Sequence, residues 1–502
     1  MPTLKDVASL AGVSVATVSN VINNTRTITP ATRERVEQAI NQLGYVPNQA
    51  GRLLALQKGG IGKAPAEFHE GRSFDHSDDV ASPTLSESRT QAAGQDGDTT
   101  GFARTGRLLL RLLRAAQPIS RVQLARRLNV PRGMVTDLTK PLIAAGLVRE
   151  EAAPAAPRGS RVVGRPRVNL ALHGAHDLIV GVNIGVRGSQ VGLTTLGGEL
   201  LAEEEFETPR KPPAALALVR TTIEHLCEKV RDRRLRMIGV SVPGPTDAGR
   251  RDLLYAPHLG WRNVAIADAL GFPLEAEVNP ISLNASVPVV VENDATAAAM
   301  YEARLRLADA TDDSLNNFIL VRAGTGIGVG LVLDGEVYRG MDHGAGIAGE
   351  FGHMTIVAGG KQCSCGNRGC WEVYASASAA SALYMGDRVQ LGGMKAPRYL
   401  EIVARAEAGE IRAQRTLERV GEYLGIGIGN VIAGLGVPRV IVSGRVVYGW
   451  KFINKSLNEA VGQSMAGKLA GWSVEKGEPR GAGLGGALEV AVEEYLARSF
   501  SW

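Results

Sequence analysis

Across 502 residues the chain is 44% apolar and 21% charged, which excludes a wholly disordered polymer and leaves room for about three domains. No window approaches the ~18 uncharged apolar residues that a membrane span needs, and the start, Met1-Pro2-Thr3-Leu4-Lys5-Asp6, lacks the basic-then-apolar pattern of a signal peptide, so a cytoplasmic protein with no membrane partner is expected. The net charge of +5 hides a segregation: +3 over residues 1–60, −5 over 61–100, +11 over 101–170 and −4 over the rest. A basic block beside an acidic body suggests a polyanion-binding part joined to something else.

The first sixty residues read as three short helices and a hinge. Leu4, Val7, Ala8 and Ala11 recur at helical spacing, and Gly12-Val13-Ser14 turns the chain, with Ser14 placed to cap the next helix. That helix buries Val18 and Val21 or Ile22 and leaves Val15, Ala16, Thr17, Ser19, Asn20 and Asn23 small and polar outside. Thr29-Pro30 opens a third helix with Val36, Ala39, Ile40 and Leu43 on its inner face. Two helices across a short turn suit a DNA major groove; a three-helix interaction module would show the same apolar periods. Leu4-Lys5-Asp6-Val7-Ala8, Ala11-Gly12-Val13-Ser14, Thr17-Val18-Ser19 and Gly44-Tyr45-Val46-Pro47-Asn48 resemble the head of the lactose-repressor (LacI) family. The resemblance implies that Val15, Ala16 and Asn20 face bases, and that Thr3, Ser14, Thr17, Ser19 and Asn23 meet phosphates. It also implies a hinge helix over 48–56 whose Leu54 wedges into the minor groove. The sugar-binding core of that family does not follow.

Residues 61–100, rich in Ser, Asp, Gly, Ala and Gln without an apolar period, read as a disordered acidic linker. Residues 101–170 then repeat the helix-turn-helix theme. Leu108, Leu109, Leu112 and Leu113 form a helical stripe, Ser120 and Gln123 a capping box, and Val130-Pro131 starts a helix through Met134, Val135 and Leu138. Pro141 is expected to kink or end that helix. Four arginines within 158–167 read as a basic two-stranded wing. The pattern resembles the winged helix in front of ROK-family repressors (repressor, open reading frame, kinase), with Arg132, Thr136, Thr139 and Lys140 as DNA-contact candidates.

In the body, residues 171–502, short strands recur with glycine-punctuated turns. Two such halves fit a duplicated ribonuclease-H-like (actin-type) α/β fold behind the two helical heads, with ligand in the cleft between lobes. His353 with Cys363, Cys365 and Cys370 offers one imidazole and three thiolates, the donor set of a closed structural zinc site. Cys227 stands apart as core. Ala348-Gly349-Glu350-Phe351-Gly352-His353, the cysteine loop with Trp371-Glu372, and Glu292-Asn293-Asp294-Ala295-Thr296-Ala297 closely resemble ROK-family signatures. The resemblance implies a sugar or sugar phosphate held by Asn293, Asp294, Glu350, His353 and Glu372, with His353 shared between zinc and ligand. ROK sugar kinases open the body with Asp-x-Gly-Gly-Thr, where this chain has Asn183-Ile184-Gly185-Val186-Arg187-Gly188. The carboxylate is gone, and Val186 is β-branched where bare backbone is needed. Gly324-Thr325-Gly326 survives. The expectation is therefore a non-enzymatic, sugar-responsive repressor without catalytic residues, a homodimer or higher homo-oligomer on a double-stranded operator. The alternative is an ATP-dependent sugar kinase with accessory DNA-binding heads.

Overall fold

The computed structural model describes residues 4–14, 17–18, 21, 29–43, 96–152, 168–174, 176–230, 232–272, 286–309, 317–340, 347–386, 396–469, 471–479 and 481–500. The chain divides into two compact units, Met1–Thr90 and Gln91–Trp502.

In the first unit, α1 (Leu4–Ala11) and α2 (Pro30–Leu43) bury Val7, Ala8, Ala11, Val36 and Ala39 together with Val18 and Val21. The backbone is helical at Thr17, Val18 and Val21, and the Ser14 hydroxyl accepts the Thr17 amide at 3.1 Å. That is the cap the sequence predicts for the second helix. Thr3, Val15, Ala16, Ser19, Asn20, Asn23 and Leu54 lie outside the described residues.

The second unit begins with α3 (Asp96–Ala116). This helix starts inside the stretch read as linker; its leucine stripe supplies a nucleus, and each further turn then adds a hydrogen bond per residue ordered. β1 (Ile119–Ser120), α4 (Arg121–Arg127), α5 (Arg132–Ala144), β2 (Val148–Ala152) and β3 (Val168–Leu172) complete a winged helix, its sheet ordered β1-β3-β2. Ser120 and Gln123 form the reciprocal capping box at the start of α4. The arginines of the wing tip, within 153–167, lie outside the described residues.

Pro141 does not end the helix: α5 continues past it to Ala144. One lost backbone bond and its ring clash cost about 3 kcal/mol. Leu138 and Leu142, both fully buried, return about 1.5–3 kcal/mol each, so burial outweighs the proline. Thr139 is corrected as a DNA-contact candidate. It is fully buried, its hydroxyl bonds the Val135 carbonyl at 2.7 Å, and Arg121 reaches it on the way to Glu150.

The body follows as β4 (Asp177–Ile184), β5 (Gly188–Thr195), β6 (Leu200–Glu207), α6 (Pro212–Glu228), β7 (Arg234–Val242), the hairpin β8 (Leu253–Ala256) and β9 (Trp261–Val264), α7 (Ile266–Ala269), β10 (Val289–Asn293) and α8 (Asp294–Asp309). The second lobe comprises β11 (Phe318–Ala323), β12 (Ile327–Leu333), β13 (Glu336–Val337), α9 (Glu372–Ala375), α10 (Ala377–Met385), α11 (Tyr399–Glu407), α12 (Ile411–Leu435), β14 (Arg439–Ser443), α13 (Trp450–Gln463) and β15 (Ser473–Lys476). The closing helix, α14 (Ala482–Ser499), packs back onto the first sheet, with Val490 and Val492 in one core with Ile179 and Met237.

The two five-stranded sheets run β6-β5-β4-β7-β10 and β13-β12-β11-β14-β15. Counted from each lobe's first strand, both read 3-2-1-4-5. In each, an antiparallel meander is followed by two parallel strands. This is the duplicated ribonuclease-H-like topology expected from the sequence. The parallel strands β10 and β14 and most of β7 are buried on both faces, as helices on either side require, while the edge strand β15 is only half-buried.

Candidate functional site

β10 ends at Asn293 and α8 begins at Asp294. The Asn293 side-chain oxygen accepts the amides of Ala295 and Thr296 at 2.9 and 3.2 Å. Asn293 therefore caps α8, which commits its oxygen and leaves its amide N–H groups to serve a ligand. Asp294, next in chain, pairs through Oδ2 with Arg322 at the end of β11. Glu292, immediately before, turns the other way. It is buried, with Arg339 at 2.7 Å and Arg250 at 3.1 Å, so it anchors this strand end structurally.

Opposite this strand end lie Glu350 and His353 on one 3-10 turn and Glu372 at the start of α9. His353 Nε2 stands 3.7 Å from Glu350, and its Nδ1 stands 3.8 Å from Glu372. Burial first, then the charges of Asp294 and Glu372, pushes the Glu350 carboxyl up to about 7. This ties all three carboxyls to one patch. Burial also works to raise Glu372, but the His258 hydrogen bond and the charges of His258 and His353 hold it below the usual range. Four of the five predicted sugar residues, Asp294, Glu350, His353 and Glu372, thus interact with one another, and Asn293 adjoins them in the chain.

His258 was not singled out from the sequence. Its Nε2 lies 3.3 Å from Glu372, and burial notwithstanding, the Glu372 hydrogen bond raises its proton affinity. The available signal was its position two residues before Gly260-Trp261. Gly326 makes room for this pair: a Cβ there would lie 2.4 Å from Glu372 Oε2 and 2.9 Å from His258 Nε2. The surviving Gly-Thr-Gly run therefore has a use in packing against the Glu372–His258 pair.

Behind the patch, His353, Cys363, Cys365 and Cys370 bring their ligand atoms within 4.8 Å of one another. Cys363 Sγ is 3.6 Å from His353 Nδ1, and Cys365 Sγ is 3.8 Å from Cys370 Sγ. A tetrahedral ion with ~2.3 Å sulfur and ~2.0–2.1 Å nitrogen bonds would space its ligands at about 3.6 Å for S···N and about 3.8 Å for S···S. The donor set and spacing fit such an ion, so this group could hold a metal. Burial raises the thiols of Cys363 and Cys370, the reverse of what nucleophilic cysteines need. Gly369, at φ +80, folds the loop back; a Cβ there would meet the Val357 carbonyl oxygen at 1.8 Å.

On the winged helix, Arg132, Thr136 and Lys140 are exposed at i, i+4 and i+8 on α5, one face of the helix. The arginines of α3 have another use. Arg107 pairs with Glu336 at 3.0 Å and Arg111 with Glu493. Arg114 pairs with buried Glu489 at 2.9 Å. Three of the fourteen basic residues in the +11 block thus dock this head on the body.

Two like-folded lobes around a carboxylate-lined cleft, preceded by helix-turn-helix heads, define a DNA-binding protein whose body has the actin-type sugar-kinase fold. The ROK family model matches residues 179–494, and the chain belongs to that family. The model of bacterial regulatory proteins of the lacI family matches residues 3–48, and that of winged helix-turn-helix DNA-binding matches 103–149. The chain is 28% identical over 366 residues to the xylose repressor of Bacillus subtilis (strain 168), covering 72% of this chain and 88% of that one. A solved ROK family transcriptional regulator, a homologue of the E. coli MLC protein, matches with TM-score 0.60 and 25% identity over 80% of this chain and 98% of that one. A ROK family glucokinase from Streptomyces griseus, in complex with glucose and AMPPNP, matches with TM-score 0.51 and 26% identity over 62% of this chain and 99% of that one. Among the described residues no helix is long and apolar enough to cross a membrane.

Proposed function

We propose that this protein is a sugar-responsive DNA-binding repressor whose body binds a sugar or sugar phosphate, and so changes operator affinity, without transferring a phosphoryl group. Asn293, Asp294, Glu350, His353 and Glu372 bind the ligand: carboxylates accept from vicinal hydroxyls while the Asn293 amide donates. Zinc is the metal held by His353, Cys363, Cys365 and Cys370. It is structural, and its chemistry is confined to fixing the His353 ring so that Nε2 faces the cleft. The protein acts in the cytoplasm, and it works as a homodimer or higher homo-oligomer, because one helix-turn-helix offers too few contacts for tight specific binding. The LacI-type head, with the winged helix and its Arg132 and Thr136, provides the DNA contacts.

The observation that carries the non-enzymatic reading is the fate of the two acidic positions a kinase needs. Where the kinases carry an aspartate, Asn183 is tied into the protein, its oxygen accepting from Ser241 at 3.0 Å and its amide donating to Gln190 at 3.3 Å. Asp294, the residue matching the general base, is bonded to Arg322. The kinase reading draws on the retained Gly324-Thr325-Gly326 loop and the likeness to a glucokinase structure. Coupled ADP-release assays with magnesium-ATP and a panel of aldoses and N-acetylhexosamines decide between them. No turnover above background is expected; a kcat in the ~1–100 s⁻¹ range of kinases would overturn the repressor-only reading.

A ligand that moves this patch has a physical route to the head. Glu292 anchors the sugar motif to Arg250, and Arg250 reaches Glu494 of α14 at 2.8 Å. Five residues earlier on α14, Glu489 holds Arg114 of α3 and, at 2.7 Å, Arg304 of α8. Differential contact with two arrangements of this chain of ion pairs is what a sugar needs in order to shift operator affinity.

A further inference from the structure

We infer that Arg187, Arg322 and Arg445 form an anion-binding subsite beside Asp294 that takes the phosphate monoester of a phosphorylated sugar. The inference rests on the reading of the cleft as a sugar pocket and specifies the ligand's charge.

The three arginines stand where strands of the two lobes run out toward the cleft. Arg187 lies in the turn between β4 and β5, the first hairpin of the first lobe. Arg322 is on β11, the equivalent first strand of the second lobe, level with Ser443 of the neighbouring parallel strand β14. Arg445 follows Ser443 by two residues. Open α/β sheets bind ligands beyond the carboxyl ends of their strands, and Arg322 and Arg445 both occupy such ends.

The charges there are unbalanced. Arg322 pairs with Asp294, but among the described residues neither Arg187 nor Arg445 has a carboxylate within 4.0 Å. Arg322 sits level with Ser443 and Arg445 follows two residues on, and partial burial, then the neighbouring charges of Arg187 and Arg322, lowers the proton affinity of Arg445. Like charges gathered without counter-charges are costly, and a bound dianion relieves that cost. Guanidinium groups match phosphate oxygens bidentately, with a geometry a lysine cannot supply. Ser443 adds a buried hydroxyl without a hydrogen-bond partner beside Arg322. A magnesium nucleotide is a poorer occupant, because Asn183 brings no carboxylate toward the metal and its amide is already engaged.

The sugar hydroxyl nearest Asp294 is the one a kinase would phosphorylate, and a phosphate already on that oxygen would lie against Arg322. The ligand is thus the kind of compound that sugar phosphorylation supplies.

Calorimetric titration of the full-length, metal-loaded protein tests this. The probes are glucose, mannose, N-acetylglucosamine and N-acetylmannosamine, their 6-phosphates, inorganic phosphate, and AMPPNP with magnesium. At least one 6-phosphate is expected to bind ten-fold or more tightly than its neutral parent. Arg187→Ala and Arg445→Ala, both at exposed positions, should each erase most of that preference and leave the neutral sugar's affinity unchanged. Inorganic phosphate should compete with the sugar phosphate in the wild type and fail to bind the double variant. Equal binding of neutral and phosphorylated sugars, or a preference that survives the double variant, overturns the inference and leaves the sugar pocket standing. So does AMPPNP binding more tightly than every 6-phosphate. Failure of every sugar, neutral or phosphorylated, to bind overturns the sugar pocket itself.

Discussion

Cys365→Ser is expected to strip the protein of its metal and to lower sugar affinity at least 100-fold. Cys365 is the partly exposed thiol of the cluster, so the change removes a ligand without opening a cavity in the core. A structural zinc site contributes about 10–16 kcal/mol at neutral pH when all four ligands are present, and a hydroxyl is a far poorer donor to zinc than a thiolate. The sugar effect follows from geometry. His353 belongs both to the metal cluster, through Nδ1 facing Cys363 at 3.6 Å, and to the carboxylate patch, through Nε2 and Glu350. Without the metal its ring is free to turn, and a pocket misplaced by about 1 Å loses binding steeply. Metal content by mass spectrometry and sugar affinity by calorimetry should fall together. A metal-free variant that binds sugar as the wild type does would separate the two sites.

Glu489→Ala carries the second large effect, a loss of about 3–5 kcal/mol in thermal or denaturant unfolding. Glu489 is buried, and it bonds Arg114 through both nitrogens of the guanidinium fork at 2.9–3.2 Å. It also holds Arg304 at 2.7 Å. Its removal leaves two arginines without their shared carboxylate at the seam where α3 meets α8 and α14. The same seam holds a cavity of about 350 Å³ lined by Leu110, Met300, Val492 and Leu496 together with Arg107, Arg111 and Glu493. The double change Arg114→Met with Glu489→Leu replaces the pair by apolar groups of similar volume. It should restore the part of the stability lost with Arg114, Arg304 remaining without its carboxylate, while leaving operator affinity insensitive to sugar. If the double variant still responds to sugar as the wild type does, the ion pairs hold the head in place without relaying the ligand.

Much of this was legible in the residues because local patterns and tertiary demands agree. The face Val7, Ala8, Ala11 of α1, the Ser120–Gln123 box and the meander strands each satisfy their own periodicity and the shared core. The cysteine loop was legible because a His and three Cys with glycine turns have few other uses. That Pro141 does not end α5 and that Thr139 faces inward depend on what surrounds the helix: fully buried leucines carry it past the proline, and Thr139 lies on the same buried side with its hydroxyl on the Val135 carbonyl. The net charge of the 101–170 block could not be divided between docking and nucleic-acid contact, because the partners of the α3 arginines, Glu336, Glu489 and Glu493, lie more than 200 residues away in sequence. His258 escaped notice because a lone histidine has no local signature, and only the fold brings it to Glu372.

The most direct test is operator binding by the full-length, zinc-loaded protein, followed by fluorescence anisotropy on its own upstream DNA as sugars and sugar phosphates are titrated in. The account predicts that a ligand that fills the carboxylate patch changes the operator Kd by about 5–150-fold, equivalent to about 1–3 kcal/mol of coupling, and that Asp294→Ala abolishes the change while leaving ligand-free DNA affinity intact. A ligand that binds the pocket tightly and leaves the operator Kd unmoved would contradict it.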